Sequence, residues 1–148
     1  MKILYTGSFR FPDKDAASQR VLGIGKALRK MGHEIVFCGW EKEPRIEDKI
    51  NDEYIYQGFK YYSQAELGLP ERGLFRRFID YLALGNKTLG WIRRYNLTNK
   101  ITHIIVYNSN SIFILRLKNF VKKITSHWLA TAQSGMRAHI YPVEDLEF

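Results

Sequence analysis

Apolar residues open the chain as a short run and then change period. Ile3, Leu4 and Tyr5 form a run of buried-strand length, closed by Gly7. From Ala17 the spacing lengthens: Val21, Ile24, Leu28 and Met31 fall at i, i+3, i+7 and i+10, one face of a helix. Arg20, Lys26, Arg29 and Lys30 lie mostly off that face. Arg29 and Lys30 also suit the negative end of the helix dipole, and Gly32 suits a left-handed position just beyond the helix. Either Asp15 or Ser18 can cap the start. Ile35 to Cys38 is a second apolar, β-branched strand. Strand, helix and strand with short joints imply two parallel strands linked by a right-handed crossover.

Further on, Glu41 to Glu53 is polar and reads as a loop. Tyr54 to Tyr62 reads as a third strand, or as two short strands broken at Gly58. Ser63 to Arg72 is a connector. Gly73 to Tyr95 is the longest helical pattern, with Phe75, Phe78, Leu82, Leu89 and Ile92 on one face, widened by Leu74, Ile79, Leu84 and Trp91. Gly85 and Gly90 weaken it by roughly 1 kcal/mol each relative to alanine, so a break near them is expected. Thr102 to Tyr107 is a clear strand. Asn108 to Ser111 then leads into a helix with Ile114, Leu117, Val121 and Ile124 on one face, capped by Asn110 or Ser111. The alternation predicts an α/β fold: a Rossmann-like, doubly wound, mostly parallel sheet.

In such sheets ligands bind beyond the carboxyl ends of the strands. Gly7 to Ala16 leaves the first strand at that edge and enters a helix N-terminus, whose free N–H groups favour an anion or a polar ligand. The plainer alternative is that Gly7 only makes the turn and Asp15 or Ser18 only caps the helix. The joint after Tyr107 is of the same type and falls on the same edge. Tyr107 and Asn108 are therefore candidate ligand contacts, whereas His103, at the strand start, is structural.

Lys2 to Gly7, Ser18-Gln19-Arg20-Val21-Leu22, Ala27-Leu28 and Gly32-His33-Glu34-Ile35 together resemble the opening of a GT-B glycosyltransferase of the large retaining family 4 type. That family begins with a strand, a Gly-rich loop, a helix entered near Gly-Gly-x-x-Arg, and a Gly-His-Glu-Val turn. Ala16-Ala17 stand here where many members have Gly-Gly, and a Cβ restricts close backbone approach. Many members also carry a histidine near Asn108. The resemblance covers Met1 to Lys123 and implies the N-terminal, acceptor-side half of the GT-B architecture. It implies substrate contacts at Gly7, Ser8, Ala17, Ser18 and Arg20, to which Tyr107 and Asn108 are added by their place at the strand end and not by the family pattern, and no catalytic residue. The complete enzyme would transfer a sugar from a sugar nucleotide to a glycan or lipid-linked acceptor, as in cell-envelope polysaccharide synthesis. The donor is bound mostly by a second domain, so this half is expected to be inactive alone and to need that domain as a partner.

The chain has 148 residues, enough for one domain with a core, and a net charge of +8. The basic balance leaves a second class open: a non-catalytic Rossmann-like module binding nucleotide, RNA or an anionic membrane. No nucleic-acid motif is present, so no specific nucleic-acid partner is expected. Arg72, Arg76, Arg77, Arg93 and Arg94 flank the two ends of the long helical pattern and fit peripheral membrane contact, or a core helix with a solvated basic face. A dinucleotide site lacks its Gly-x-Gly-x-x-Gly: only Gly7 follows the first strand, and Gly23 and Gly25 lie within the helix, where they permit close packing. Glu41 stands where a ribose-binding acid would. Four scattered histidines and the single Cys38 give no metal spacing, and no cofactor is expected beyond the donor sugar nucleotide. No disulfide framework, signal peptide or spanning segment is recognisable, which points to a cytoplasmic protein, with the inner membrane face as its peripheral site.

Residues 124–148 lose this grammar and read as an irregular tail. With Lys123 ending in A and the frame moved one base upstream, permitted codons for residues 124–136 read Asn-Asn-Ile-Thr-Leu-Ala-Gly-Asp-Cys-Thr-Glu-Trp-Tyr. Trp128 forces the leucine. That string is a turn, a strand and a loop resembling the fifth strand of some glycosyltransferases. Two readings stand: a shifted frame from about Ile124, or a native tail with His139 to Val143 as a last strand. The DNA across codons 124–136 separates them.

Overall fold

A computed structural model describes residues 1–41, 46–50, 53–64, 83–124, 128–132 and 139–141. Its centre is a mixed, mostly parallel sheet of eight strands in the order β3-β4-β5-β2-β1-β6-β7-β8. The strands are β1 Lys2–Gly7, β2 Glu34–Gly39, β3 Lys49–Ile50, β4 Glu53–Tyr56, β5 Phe59–Ser63, β6 His103–Tyr107, β7 Trp128–Ala132 and β8 His139–Tyr141. The helices are α1 Ala16–Lys30, α2 Asn86–Asn99 and α3 Ser111–Ile124. Strands β5, β2, β1, β6 and β7 are mutually parallel, and β3, β4 and β8 pair antiparallel at the two sides. Chain order runs outward from β1 through β2 to β5, then returns to β6 on the other side of β1. The switch of direction therefore lies between β1 and β6.

Helices cover both faces because β1 and β2 are apolar on both. Leu4, Val36 and Cys38 face a cluster with Ile92, Phe113, Leu117 and Val121, from α2 and α3. Ile3, Tyr5, Ile35 and Phe37 face the other cluster, with Val21 and Leu22 of α1 and the aromatic rings of Phe9, Phe11, Phe59 and Tyr61. Phe37 is the hub of this second layer: it stacks on Phe11 at 4.4 Å and meets Phe59 at 5.2 Å and Tyr5 at 6.0 Å.

The joints around α1 follow local chemistry. Asp15 is the N-cap, and Ser18 completes a capping box with it. At the other end Gly32, at φ +84°, sends its N–H to the Arg29 carbonyl, and the His33 N–H reaches the Leu28 carbonyl. This is the paired bonding of a Schellman motif.

The buried face of α1 differs from the expected one. Val21 is buried, but Ile24 and Met31 are exposed at 38% and 70%. Their place is taken by Leu22 and by Gly25, where an added Cβ would lie 2.4 Å from Phe37 Cζ. The bulky ring on β2 needs a gap on the helix, and that rotates the contact stripe toward the glycine. Gly23, by contrast, faces open space.

One other expectation is corrected, while the two short strands broken at Gly58 and the break of the long helical pattern near Gly85 are met. The loop expected over Glu41 to Glu53 holds a 3-10 turn at Ile46–Asp48 and then β3. Tyr54 to Tyr62 is a hairpin: Gln57 and Gly58 both have positive φ, 49° and 78°, as a two-residue type I′ turn requires. Arg29 stacks over Phe59 at 3.9 Å and donates to the Gln57 carbonyl, so α1 and the hairpin are joined. The long helical pattern gives a helix that starts at Asn86 and runs on to Asn99; residues 73–82 lie outside the described residues. Gly85, at φ +88°, makes the break because a Cβ there would meet the buried Phe113 ring at 2.2 Å.

The region expected to be irregular carries β7, parallel to β6 in the register His103↔Trp128 to Tyr107↔Ala132, and β8, antiparallel to β7. A parallel sheet that has reversed direction at β1 offers β6 an open side, and pairing with its ladder makes a strand of a segment whose own pattern is weak.

Candidate functional site

The candidate site is the carboxyl edge of β1 and β6, at the switch point. Gly7 ends β1 at φ +143°, and a Cβ there would lie 2.1 Å from the Tyr107 carbonyl oxygen. Only glycine lets the two strand ends approach this closely. The next N–H, from Ser8, donates to the same Tyr107 carbonyl at 3.0 Å. The joint after β6 is tight as well. Asn108 has φ +42°, and Asn110 accepts the Ile112 N–H at 2.8 Å as the cap of α3.

From Ser8 the loop turns over the end of β2 rather than opening into a phosphate cradle. Phe9 and Phe11 are buried, and the Phe9 carbonyl accepts the Trp40 N–H at 3.1 Å. Asp15 uses both carboxylate oxygens on this loop: one accepts the Arg10 N–H at 2.9 Å, the other the Ser18 N–H at 2.6 Å. A helix N-terminus attracts an anion through its first free N–H groups. Here the chain's own aspartate is that anion.

Glu41 is the second anchor. It is 5% exposed and pairs with Arg10 at 3.1 Å and Lys14 at 3.5 Å. Arg10 also lies over the Trp40 ring at 5.4 Å. The acid that would hold a ribose in a dinucleotide site is therefore committed to two cations of the β1–α1 loop.

Of the residues singled out from the sequence, Gly7, Ser8, Tyr107 and Arg20 come together. The Arg20 Nη1 lies 3.5 Å from the Tyr107 hydroxyl. Asn108 is exposed beside them and Ala17 is half-buried in the first turn of α1. Ser18 is fully buried, and its hydroxyl donates to the Asp15 carbonyl at 2.7 Å, so it serves the cap. Arg93 and Arg94 are exposed on α2, whose Ile92 packs on the opposite face of the sheet from α1. Arg72, Arg76 and Arg77 lie outside the described residues. His103 stands at the start of β6, far along the strand from this edge, with its ring 3.0 Å from the Thr102 hydroxyl.

Sequence reasoning missed Tyr5 and Ser109. The Tyr5 side chain is wholly buried, and among the described residues neither its hydroxyl nor the buried Ser109 hydroxyl has a hydrogen-bond partner. Their signal was available in part. Tyr5 shares the α1 face with Tyr107 on the adjacent strand, and a phenol in a buried strand needs a partner for its polar tip.

The Tyr5 phenol is pushed up to about 12, first by burial and then by the neighbouring Tyr107 phenol. Burial also raises Tyr62 and Tyr95, which share a hydrogen bond. A raised phenol favours the folded state only while it is protonated. In the unfolded chain tyrosine ionises near pH 10, so between about pH 10 and 12 unfolding releases protons and stability falls as pH rises. The Tyr5 share of that loss is roughly 2–3 kcal/mol. In urea titrations at pH 8 and pH 11, Tyr5→Phe should lose less stability than the parent chain; an equal loss in both would remove Tyr5 from the account.

Among the described residues no group of three or more His, Cys, Asp or Glu side chains could hold a metal ion, and no helix is long and apolar enough to cross a membrane. No family model matches the chain, and neither a curated protein nor a solved structure matches it significantly.

Proposed function

We propose that this chain is the acceptor-side, N-terminal domain of a GT-B glycosyltransferase of the family 4 type. It forms one wall of a cleft in which a sugar passes from a sugar nucleotide to a glycan or lipid-linked acceptor. The observation that carries the reading is the meeting of Gly7, Ser8, Arg20 and Tyr107 at the switch point between β1 and β6. Gly7 and Arg20 fall in segments that resemble the family, Ser8 follows one directly, Tyr107 ends the adjacent strand, and the edge they form is where an open parallel sheet receives its ligand.

The same edge disfavours dinucleotide binding. The helix N-terminus is capped by Asp15, the loop is filled by Phe9 and Phe11, and Glu41 is paired with Arg10 and Lys14. No glycine cradle remains for a pyrophosphate.

Sugar transfer works by positioning two substrates and stabilising charge at the leaving phosphate. Here the β1 and β6 joints supply position on the acceptor side, and the donor-binding wall comes from a further domain, on this or another polypeptide. Arg93 and Arg94 belong to the same reading as peripheral contacts with an anionic membrane. The purified chain, offered a panel of sugar nucleotides with glycan and lipid-linked acceptors, should transfer no sugar; adding the matching donor domain should restore transfer. Robust transfer by the chain alone, or saturable binding of a nicotinamide dinucleotide, would refute the assignment.

A further inference from the structure

No Asp or Glu occurs between Asp80 and Glu144, whereas nine Lys and Arg do. Up to Asp80 cations and acids are nearly balanced, so the net charge of +8 is concentrated in this one stretch. The fold then gathers much of it on one side. Helices α2 and α3 both lie in the stretch, and both pack on the same face of the sheet, through Ile92, Phe113, Leu117 and Val121. Arg116 of α3 ties the two together: it donates to the Leu84 carbonyl at 3.1 Å and to Asn86 Oδ1 at 2.6 Å, at the start of α2.

Each helix repeats one arrangement on its outer side. Leu97 lies half a turn out of phase with the buried Thr88 and is 78% exposed. Arg93 and Arg94, one turn before it, are exposed as well, and so is Lys87. Leu115 stands between the buried Phe113 and Leu117, on the opposite side of α3 from both, and is 59% exposed; Lys118 follows one turn on. A single exposed leucine is ordinary. The same leucine with cations on two neighbouring helices, in a layer with no carboxylate of its own, is a patterned surface. The opposite face of the sheet differs. Arg29 of α1 is committed to the Phe59 ring and the Gln57 carbonyl, and Asp13, Asp15 and Glu34 border that helix.

We propose that the outer side of α2 and α3 together is a docking face for an anionic bilayer, with the cations at headgroup phosphates and Leu97 and Leu115 dipping into the acyl boundary. This takes up the peripheral contact at Arg93 and Arg94 and gives it a second helix, an apolar component and an orientation, with the sheet lying along the membrane. Charge complementarity demands an anionic partner, and the pattern selects which kind. A protein interface has an apolar centre with charges at its rim, but here the leucines are separate and the cations lie among them. A nucleic acid is held by a basic groove with rings for its bases, and gains nothing from leucine. A fluid anionic surface needs no fixed pairing of charges and accepts both side-chain types.

The test is co-sedimentation of the 148-residue chain with vesicles of phosphatidylcholine alone and of an equal mixture with phosphatidylglycerol. The chain should bind the mixed vesicles only, and less as salt rises. Neutralising Arg93 and Arg94 together to Gln should weaken binding about tenfold or more, at roughly fivefold for each cation. The Arg93→Lys and Arg94→Lys pair should restore it. Leu97→Ser and Leu115→Ser should each weaken it several-fold without lowering the melting temperature, since neither side chain is packed. Lys26→Gln and Ile24→Ser, on α1, should bind as the parent does.

No binding to the mixed vesicles at low salt overturns the face. Equal losses in the α1 variants would trace binding to total charge and overturn it too. Binding that depends on the arginines but not on either leucine, and is matched by RNA or by an acidic polypeptide, replaces the bilayer with a soluble polyanion. The readout is vesicle binding, not sugar transfer. Binding with this residue pattern but no transfer by the completed enzyme keeps the face and sinks the glycosyltransferase reading; transfer without vesicle binding does the reverse.

Discussion

Gly7→Ala should destabilise the chain by about 3 kcal/mol or more, the range of a backbone clash added to a forbidden dihedral. The new Cβ would lie 2.1 Å from the Tyr107 carbonyl oxygen and 2.8 Å from the Tyr107 nitrogen, both main-chain atoms held in the β6 ladder. Neither can swing aside like a flexible side chain. The φ of +143° is unfavourable for alanine whatever space is available. Relief would require β1 and β6 to part at their carboxyl ends, breaking the Ser8 N–H to Tyr107 carbonyl bond of 3.0 Å. Domains of this size are stable by only about 5–15 kcal/mol, so the loss should show as a large drop in the urea midpoint. The separation of the joints should also abolish the approach of Arg20 to Tyr107. A midpoint within about 1 kcal/mol of the parent would mean that the close approach of the two strand ends is wrong.

The second large effect lies in the aromatic layer. Phe37→Ala should cost about 3–5 kcal/mol, because it empties the hub on which Phe11, Tyr5, Phe9 and Phe59 converge. The more informative experiment is a cycle with Gly25. In the parent chain Gly25→Ala forces a Cβ to 2.4 Å from Phe37 Cζ, and the ring is too enclosed to retreat. That clash should outweigh the roughly 1 kcal/mol that alanine contributes over glycine within a helix. In a Phe37→Leu background the distal ring carbon is gone, and the same Gly25→Ala change should be neutral or stabilising. The two sites should therefore couple by at least about 1 kcal/mol, as residues in direct contact do. Gly23→Ala is the control, since it meets nothing within 4 Å and should stabilise by the helix term alone. Additive behaviour of Gly25 and Phe37 would show that α1 does not rest on that ring.

Much of this architecture is legible in the sequence because its signals are local. The apolar run at Ile3 to Tyr5, the β-branched run at Thr102 to Tyr107, the Gly32 terminus of α1 and the caps at Asp15 and Asn110 each act within a few residues. A strand–helix–strand order with short joints then leaves few topologies, and the switch point follows from it. The nearness of Gly7 to Tyr107 could be expected on the same ground, since both end strands at one edge.

What the sequence by itself determined is the α/β class, the principal strands, and the edge where two strand-to-helix joints meet. Tertiary structure decided the rest, because the outcome depended on partners distant in the chain. Ile24 and Met31 fit the helical period as well as Leu22 does, yet Phe37 across the layer selects the Leu22 and Gly25 stripe. Glu41 reads as a free acid until Arg10 and Lys14 fold back onto it. The weak pattern of residues 128–132 becomes β7 through pairing with β6, and Lys49–Ile50 becomes β3 through pairing with β4. A local pattern can say which residues want to be buried or to turn. Only the assembled sheet decides against what they are buried, and which polar groups, such as the Tyr5 hydroxyl, find no partner among the described residues.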